Sequence, residues 1–124
     1  MTRRDRARVV VLVPLPSRDR HRHPLAKSRQ RAVLKDLLKS LGSLFGSATA
    51  LPSWGSWKEG PRDRPSIDPG QIVVLILTTS GKYRRHRPRL IRALLRAGKD
   101  LDQLQMAAIA FRSAKGSILI RCHP

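Results

Sequence analysis

Acidic residues are scarce in this sequence. Only 8 of its 124 residues are Asp or Glu, against 26 Lys and Arg, so the formal net charge is +18. The acids are scattered, which leaves no pair of carboxylates for acid–base catalysis and no acid grouped with a histidine and a nucleophile. The sequence therefore predicts a protein that is not an enzyme and that favours anionic partners.

Aromatic residues, cysteines and long apolar runs are also scarce. Aromatics make up 4% of the chain, too few for a platform that stacks single-stranded bases. The single cysteine, Cys122, excludes an intrachain disulfide framework and fits a reducing compartment. No apolar run has the length of a membrane helix, and Pro14 and Pro16 break the one near the start. We expect a cytoplasmic or nuclear protein that is neither secreted nor membrane-spanning.

Motifs for metals and phosphates are missing too. The four histidines lack the paired spacing of a structural zinc site. Ser80-Gly81-Lys82 follows an apolar run, but Ile76 and Tyr83 stand where a phosphate-binding loop needs Gly and Ser or Thr. We therefore expect no metal, no cofactor and no small-molecule substrate.

The clearest structural pattern runs from Gln71 to Lys99. The β-branched run 72–77 predicts a buried strand. A basic turn at Ser80-Gly81 follows, and Pro88 is placed to open a helix that ends near Gly98. Beyond it, apolar spacing predicts a second helix from residue 101 and a second strand at 117–122.

The segments before this pattern are less regular. Residues 1–24 are basic and expected to be largely disordered, with one short strand possible at 9–13. Residues 25–46 predict a basic amphipathic helix, 47–70 a loop or linker around two tryptophans, and 71–124 a small α/β unit. The predicted fold class is α/β (α+β), a small single domain. Its strand-helix-helix-strand C-terminal half follows the helix and the Trp/Pro/Gly loop.

Positive charge is concentrated where acids are absent. No Asp or Glu occurs between Asp68 and Asp100, whereas an ordinary solvated helix mixes charges of both signs. The leading hypothesis is therefore a nucleic-acid-binding protein, with RNA favoured over DNA, that acts through phosphate contacts. The alternative is a solvated helix face. The candidate residues are Lys82, Arg84, Arg85, Arg87, Arg89, Arg92 and Arg96.

A second hypothesis uses apolar residues. The small, basic, aromatic-poor composition is typical of viral accessory proteins. An accessory or matrix-like regulatory role in host–virus interaction would use contact with an acidic protein or an anionic membrane. The helix at 25–45 could instead pack in the core, and the tryptophans could pin their loop or stay exposed. The candidate surface residues are Leu34, Leu37, Leu38, Leu41, Phe45, Trp54 and Trp57.

Overall fold

The computed structural model describes residues 6–58 and 60–112. In these residues the chain forms four strands and two helices. Their bounds are β1 Arg8–Leu15, α1 Lys27–Phe45, β2 Thr49–Trp57, β3 Ser66–Thr79, α2 Ser80–Asp100 and β4 Ile109–Arg112. None of the helices described is long and apolar enough to cross a membrane.

The four strands form one antiparallel sheet in the order β2-β3-β1-β4. The two helices pack against each other and against the central strands of this sheet. The order β-α-β-β-α-β along the chain is that of a ferredoxin-like fold. The predicted α+β class and the small single domain are confirmed.

The hydrophobic core lies between the helices and one face of the sheet. Alternate residues of β1 and β3 point toward the helices, as the two-residue period of a strand requires. Apolar side chains at three- and four-residue spacing on both helices meet them. The buried core residues are Val9, Val11, Val13, Leu15, Val33, Leu37, Leu41, Phe45, Val74, Ile76, Leu90, Leu94, Ala97 and Leu101.

The expectation of a disordered N-terminus is wrong for residues 8–15. These residues form β1, which pairs with β3 on one side and with β4 on the other. Val11 and Val13 are fully buried, so burial on a two-sided pairing stabilises this strand despite its basic flanks. Pro14 is tolerated because it lies beyond the stretch paired with β4.

The expected 47–70 linker contains β2 and the start of β3. β2 is an edge strand, which is where a sheet accepts residues such as Pro52. The pairing register shifts between Ser53 and Gly55, so a bulge accommodates the irregular sequence there. Trp54 is 77% exposed, which shows that it does not pin this segment to the core.

Helix α2 begins eight residues before the predicted start at Pro88, which lies inside the helix. The helix is capped at its N-terminus by Thr79, whose Oγ1 accepts a hydrogen bond from the Lys82 N–H at 3.3 Å. Tyr83 packs against the core, and His86 makes an edge-on contact with Phe45 at 5.8 Å between ring centroids. These contacts stabilise the first turns although Pro88 removes one backbone hydrogen bond.

The helix predicted from residue 101 is absent. A loop follows α2 and leads into β4, because Leu101 is buried and the Gln103 N–H returns to the Gly98 carbonyl at 2.8 Å. Gly98 is not the predicted stop but a buried helical residue. A side chain there would lie 3.0 Å from Met106 Cγ, so glycine permits this close approach. The predicted strand at 117–122 lies outside the described residues.

Candidate functional site: an open sheet face and a groove beside α2

The face of the sheet turned away from the helices is apolar. Residues paired directly across antiparallel strands point to the same side. The register therefore places three rows of apolar side chains opposite the helix-covered face. We call the following nine residues the open face: Val10, Leu12, Pro14, Leu51, Val73, Leu75, Leu77, Ile109 and Phe111.

The open face is only partly accessible in the isolated chain, since Val10 is 2% exposed. Leu51, Leu77 and Ile109 are 47%, 52% and 53% exposed. None of the nine residues carries a charge, although the chain as a whole is strongly cationic and Arg8, on the same side of β1, borders the patch. A contiguous apolar patch of this kind marks an interaction surface, since soluble monomers rarely expose one.

A groove lies between α2 and the β4 side of the sheet. It consists of two cavities of about 290 and 450 Å³ that share Tyr83 and Arg87 as lining residues. The smaller cavity is basic, with Arg84, Arg87 and Arg112 in its lining. The larger one is mostly apolar, and α2 and the loop at 103–108 line it. We call the pair of cavities the α2 groove.

A buried carboxylate fixes the other end of the sheet. Asp68 is 1% exposed and accepts hydrogen bonds from the Ser17 N–H at 2.7 Å, from the Ser17 hydroxyl and from the Gly70 N–H at 3.0 Å. Gln30 of α1 donates from Nε2 to the Pro16 and Gly70 carbonyls at 3.1 and 3.0 Å. This cluster joins three segments. Since its polar atoms pair with one another, it has a structural role.

The basic loop that follows β1 is organised by Asp19. Its Oδ1 accepts hydrogen bonds from the backbone N–H groups of His21 and His23 at 2.8 and 2.9 Å. Desolvation raises the pKa of Asp19, but these hydrogen bonds and the charges of the two histidines outweigh it, so the pKa lies below its ordinary value. The described residues include no group of three His, Cys, Asp or Glu side chains able to hold a metal ion.

The seven cations predicted to bind nucleic acid do not form one surface. All are exposed on α2, but they divide between two sides of the helix. Arg84 and Arg87 line the α2 groove. A separate stripe forms at spacings of three, four, three and four residues; its members are Lys82, Arg85, Arg89, Arg92 and Arg96.

The predicted partner or membrane surface is mostly core. Leu37, Leu41 and Phe45 are buried, and Leu34 and Leu38 pack against the core as partly buried residues. These five side chains are therefore not available as a docking stripe. Trp54 is exposed, as noted above, and the side chain of Trp57 lies outside what the structure describes.

The chain shares its fold with solved structures of several named proteins. One is CutA from the bacterium Xylella fastidiosa, with a TM-score of 0.52 and 14% identity. The aligned region covers 90% of this chain and 88% of that one. Another is the divalent cation tolerance protein (Cut A1) from Thermus thermophilus, with a TM-score of 0.52 and 15% identity over 89% and 87% of the two chains.

A third is a phage SAM lyase in complex with S-methyl-5′-thioadenosine, with a TM-score of 0.63 and 10% identity over 90% and 86% of the two chains. No family model matches the sequence, and no curated protein is similar to it. At these identities the likeness is one of fold, and the same fold hosts different functions.

These comparisons correct the leading functional hypothesis. The compared structures with this fold are named for divalent cation tolerance or SAM cleavage and not for nucleic-acid binding, so the prediction of an RNA- or DNA-binding protein is wrong. The viral accessory or matrix-like alternative, with its membrane and acidic-protein partners, is wrong on the same finding. Charge concentration alone did not identify a partner, since five of the seven cations lie outside the lining of the basic cavity.

Sequence reasoning missed both surfaces described here, although one signal was present. The apolar runs at 9–13 and 72–77 show no alternation with polar residues. A strand covered on one face alternates, whereas a strand covered on both faces is apolar throughout. The helices cover one face only, so the second apolar face required a further covering. No comparable signal marks the α2 groove, because β4 and the α2–β4 loop were predicted to be helical.

Proposed function

We propose that this chain is a self-associating, non-enzymatic α+β protein and that the open face is its subunit interface. One observation carries the proposal: nine apolar, uncharged residues lie on the face of the sheet that no helix of the described chain covers. Burial of such a surface is favourable by roughly 25 cal/mol per Å².

A second copy of the same chain is the occupant that the charge pattern supports. A net charge of +18 makes two copies repel each other over most of their surface. The open face lacks charge, so two copies can approach there at the least electrostatic cost. A two-fold axis would bring the same apolar patch of both copies together, as an interface between identical subunits requires.

Mass measurement on matched variants tests this proposal. Leu77 on the open face and Leu95 on α2 are exposed to similar extents, 52% and 61%. In analytical ultracentrifugation the wild-type chain and Leu95→Asp should sediment as the same oligomer. Leu77→Asp should be monomeric with an unchanged circular dichroism spectrum. A wild-type monomer at about 100 µM, or a Leu77→Asp protein of wild-type mass, would contradict the proposal.

A role in divalent cation tolerance is the second candidate function. Its support is the fold shared with two proteins of that name over about 90% of the chain. Expression in a copper-sensitive bacterial strain tests it. Growth in excess Cu²⁺ should be restored by the wild-type chain and not by Leu77→Asp, and no restoration would exclude this role.

A further inference from the structure

We propose that the α2 groove binds a small organic oxyanion with an apolar body, such as a medium-chain carboxylate or alkyl phosphate. The groove lies beside α2, and of the nine open-face residues Phe111 alone also lines it. It combines a basic cavity with an apolar one, and the two adjoin at Tyr83 and Arg87, which line both. The proposal does not rest on self-association.

The basic end can recognise an oxyanion. Arg87 projects from α2, and Arg112 from β4 pairs with Val9 in a row that faces the helix layer. Among the described residues neither guanidinium has a hydrogen-bond or ion-pair partner. Planar guanidinium groups match carboxylate and phosphate oxygens in pairs of hydrogen bonds.

The apolar end can hold the body of the ligand. Leu90, Leu94 and Met106 line it, and Leu95 and Leu104 stand at its exposed rim. Its volume of about 450 Å³ falls in the range of roughly 300–1,000 Å³ typical of small-molecule sites. Gly98 contributes to its shape, since the missing side chain lets the loop carrying Met106 approach the helix.

The charge of the lining selects the sign of the ligand. Among the described residues no Asp or Glu lines either cavity, while Arg87 stands at their junction and Lys99 lies at the apolar end. A cation of the same length would lose its hydration without gaining a counter-charge. An uncharged ligand of the same length would gain only the apolar contacts.

The experiment uses octanoate and octyl phosphate as probes with the full-length chain. Acetate and inorganic phosphate supply the anionic head group without the octyl chain. Octyltrimethylammonium supplies the octyl chain with a cationic head group. Isothermal titration calorimetry should show one site per subunit for either octyl anion, and the relative affinities of the two decide between carboxylate and phosphate. The short anions and the ammonium probe should bind at least about tenfold more weakly. The short anions lack the apolar contacts, and the ammonium probe lacks the contacts with the guanidinium groups.

Variants separate the groove from general positive charge. Arg87→Gln removes one guanidinium and should weaken octanoate binding about tenfold, the effect of losing charge-assisted hydrogen bonds. Arg89→Gln is the matched control, because Arg89 is an exposed arginine of the same helix outside the groove lining, and it should leave the affinity within about twofold.

The Asp variants of the two leucines make the two proposals distinguishable. Leu95→Asp should keep the oligomer and lose octanoate binding, and Leu77→Asp should lose the oligomer and keep octanoate binding. Equal affinity for octanoate and octyltrimethylammonium would overturn the groove proposal. Equal losses of octanoate affinity in Arg87→Gln and Arg89→Gln would also overturn it. So would the absence of octanoate binding, which is the result expected if another segment or a second copy fills the groove.

Discussion

The two faces of the sheet are built from the same kinds of residue but have different surroundings. Along β1, Val11 and Val13 are fully buried beneath the helices, whereas Leu12 between them points to the open face. Both faces are apolar at their centres, yet the helices of the described residues cover only one of them. Apolar composition therefore does not separate a core from an interface; the position of the helices does.

This difference shows how a short chain can carry more apolar sheet than it can cover. Small domains bury a lower share of their surface than large ones, and two helices cover one face of a four-stranded sheet. The other face is left without a helix of the described residues above it. Such a face is either covered by a partner molecule or promotes aggregation. Charge on α2 limits non-specific association, since like-charged surfaces repel except at the uncharged patch.

The largest contrast between the faces should come from a buried charge. Val11→Asp places a carboxylate among fully buried core residues, where no cation can pair with it. We expect a loss above about 4 kcal/mol, enough to unfold a domain of ordinary stability. Circular dichroism should show an unfolded chain. Leu12→Asp on the open face is the control, and a folded Val11→Asp protein would show that the covered face is not the core.

The same substitution on each face gives a smaller and more quantitative contrast. Leu15 is fully buried on the covered face, and Leu77 is half exposed on the open face. Leu15→Ala should cost about 2–5 kcal/mol through a core cavity. Leu77→Ala should cost less than about 1 kcal/mol in the monomeric state. Urea unfolding of both variants in a Leu12→Asp background measures this, and equal losses would contradict the distinction between the faces.

The buried carboxylate at the edge of the covered face should have an intermediate effect. Asp68→Asn keeps the size of the side chain but removes one of the acceptors for the Ser17 and Gly70 donors. We expect a loss of about 2 kcal/mol, since hydrogen bonds to charged groups contribute about 1.5–3 kcal/mol each. Thermal unfolding measures it. Asp63 is exposed, so Asp63→Asn should change stability by less than about 0.5 kcal/mol.

The class of fold was predictable from the sequence, but its topology was not. The apolar strand at 72–77 and the helix at 25–46 gave clear local patterns; the first lies within β3, and the second exceeds α1 by two residues at its start and one at its end. β1 was predicted only as a possible short strand at 9–13 and β2 was missed, because pairing with distant strands stabilises both, whereas local composition at Pro14, Pro52 or Gly55 opposes a strand. The start of α2 was predicted wrongly at Pro88, because tertiary contacts of Tyr83 and His86 outweigh the local cost of a proline inside the helix.

The candidate sites were predictable only in part. Arg84 and Arg87 were selected for their charge and do lie at a cavity, but Arg112 and Met106 join it through a strand and a loop predicted to be helical. The open face follows from the lack of alternation in two strands. To infer an uncovered face from this pattern, one must also know how many helices pack on the sheet. Only the folded structure provides that number.

The smallest expected effect concerns the loop after β1, which lies outside both faces. Folding lowers the pKa of Asp19, so its contribution to loop order is fully present above the ordinary pKa of about 3.9 and is lost as the pH falls through the lowered value. The amide NMR signals of His21 and His23 should therefore shift as the pH falls below the ordinary pKa of an Asp carboxyl, because protonation weakens the hydrogen bonds that Asp19 accepts. Asp19→Asn should abolish this titration without changing the oligomeric state or octanoate binding. Amide signals that titrate equally in the wild-type chain and the variant would show that another group orders the loop.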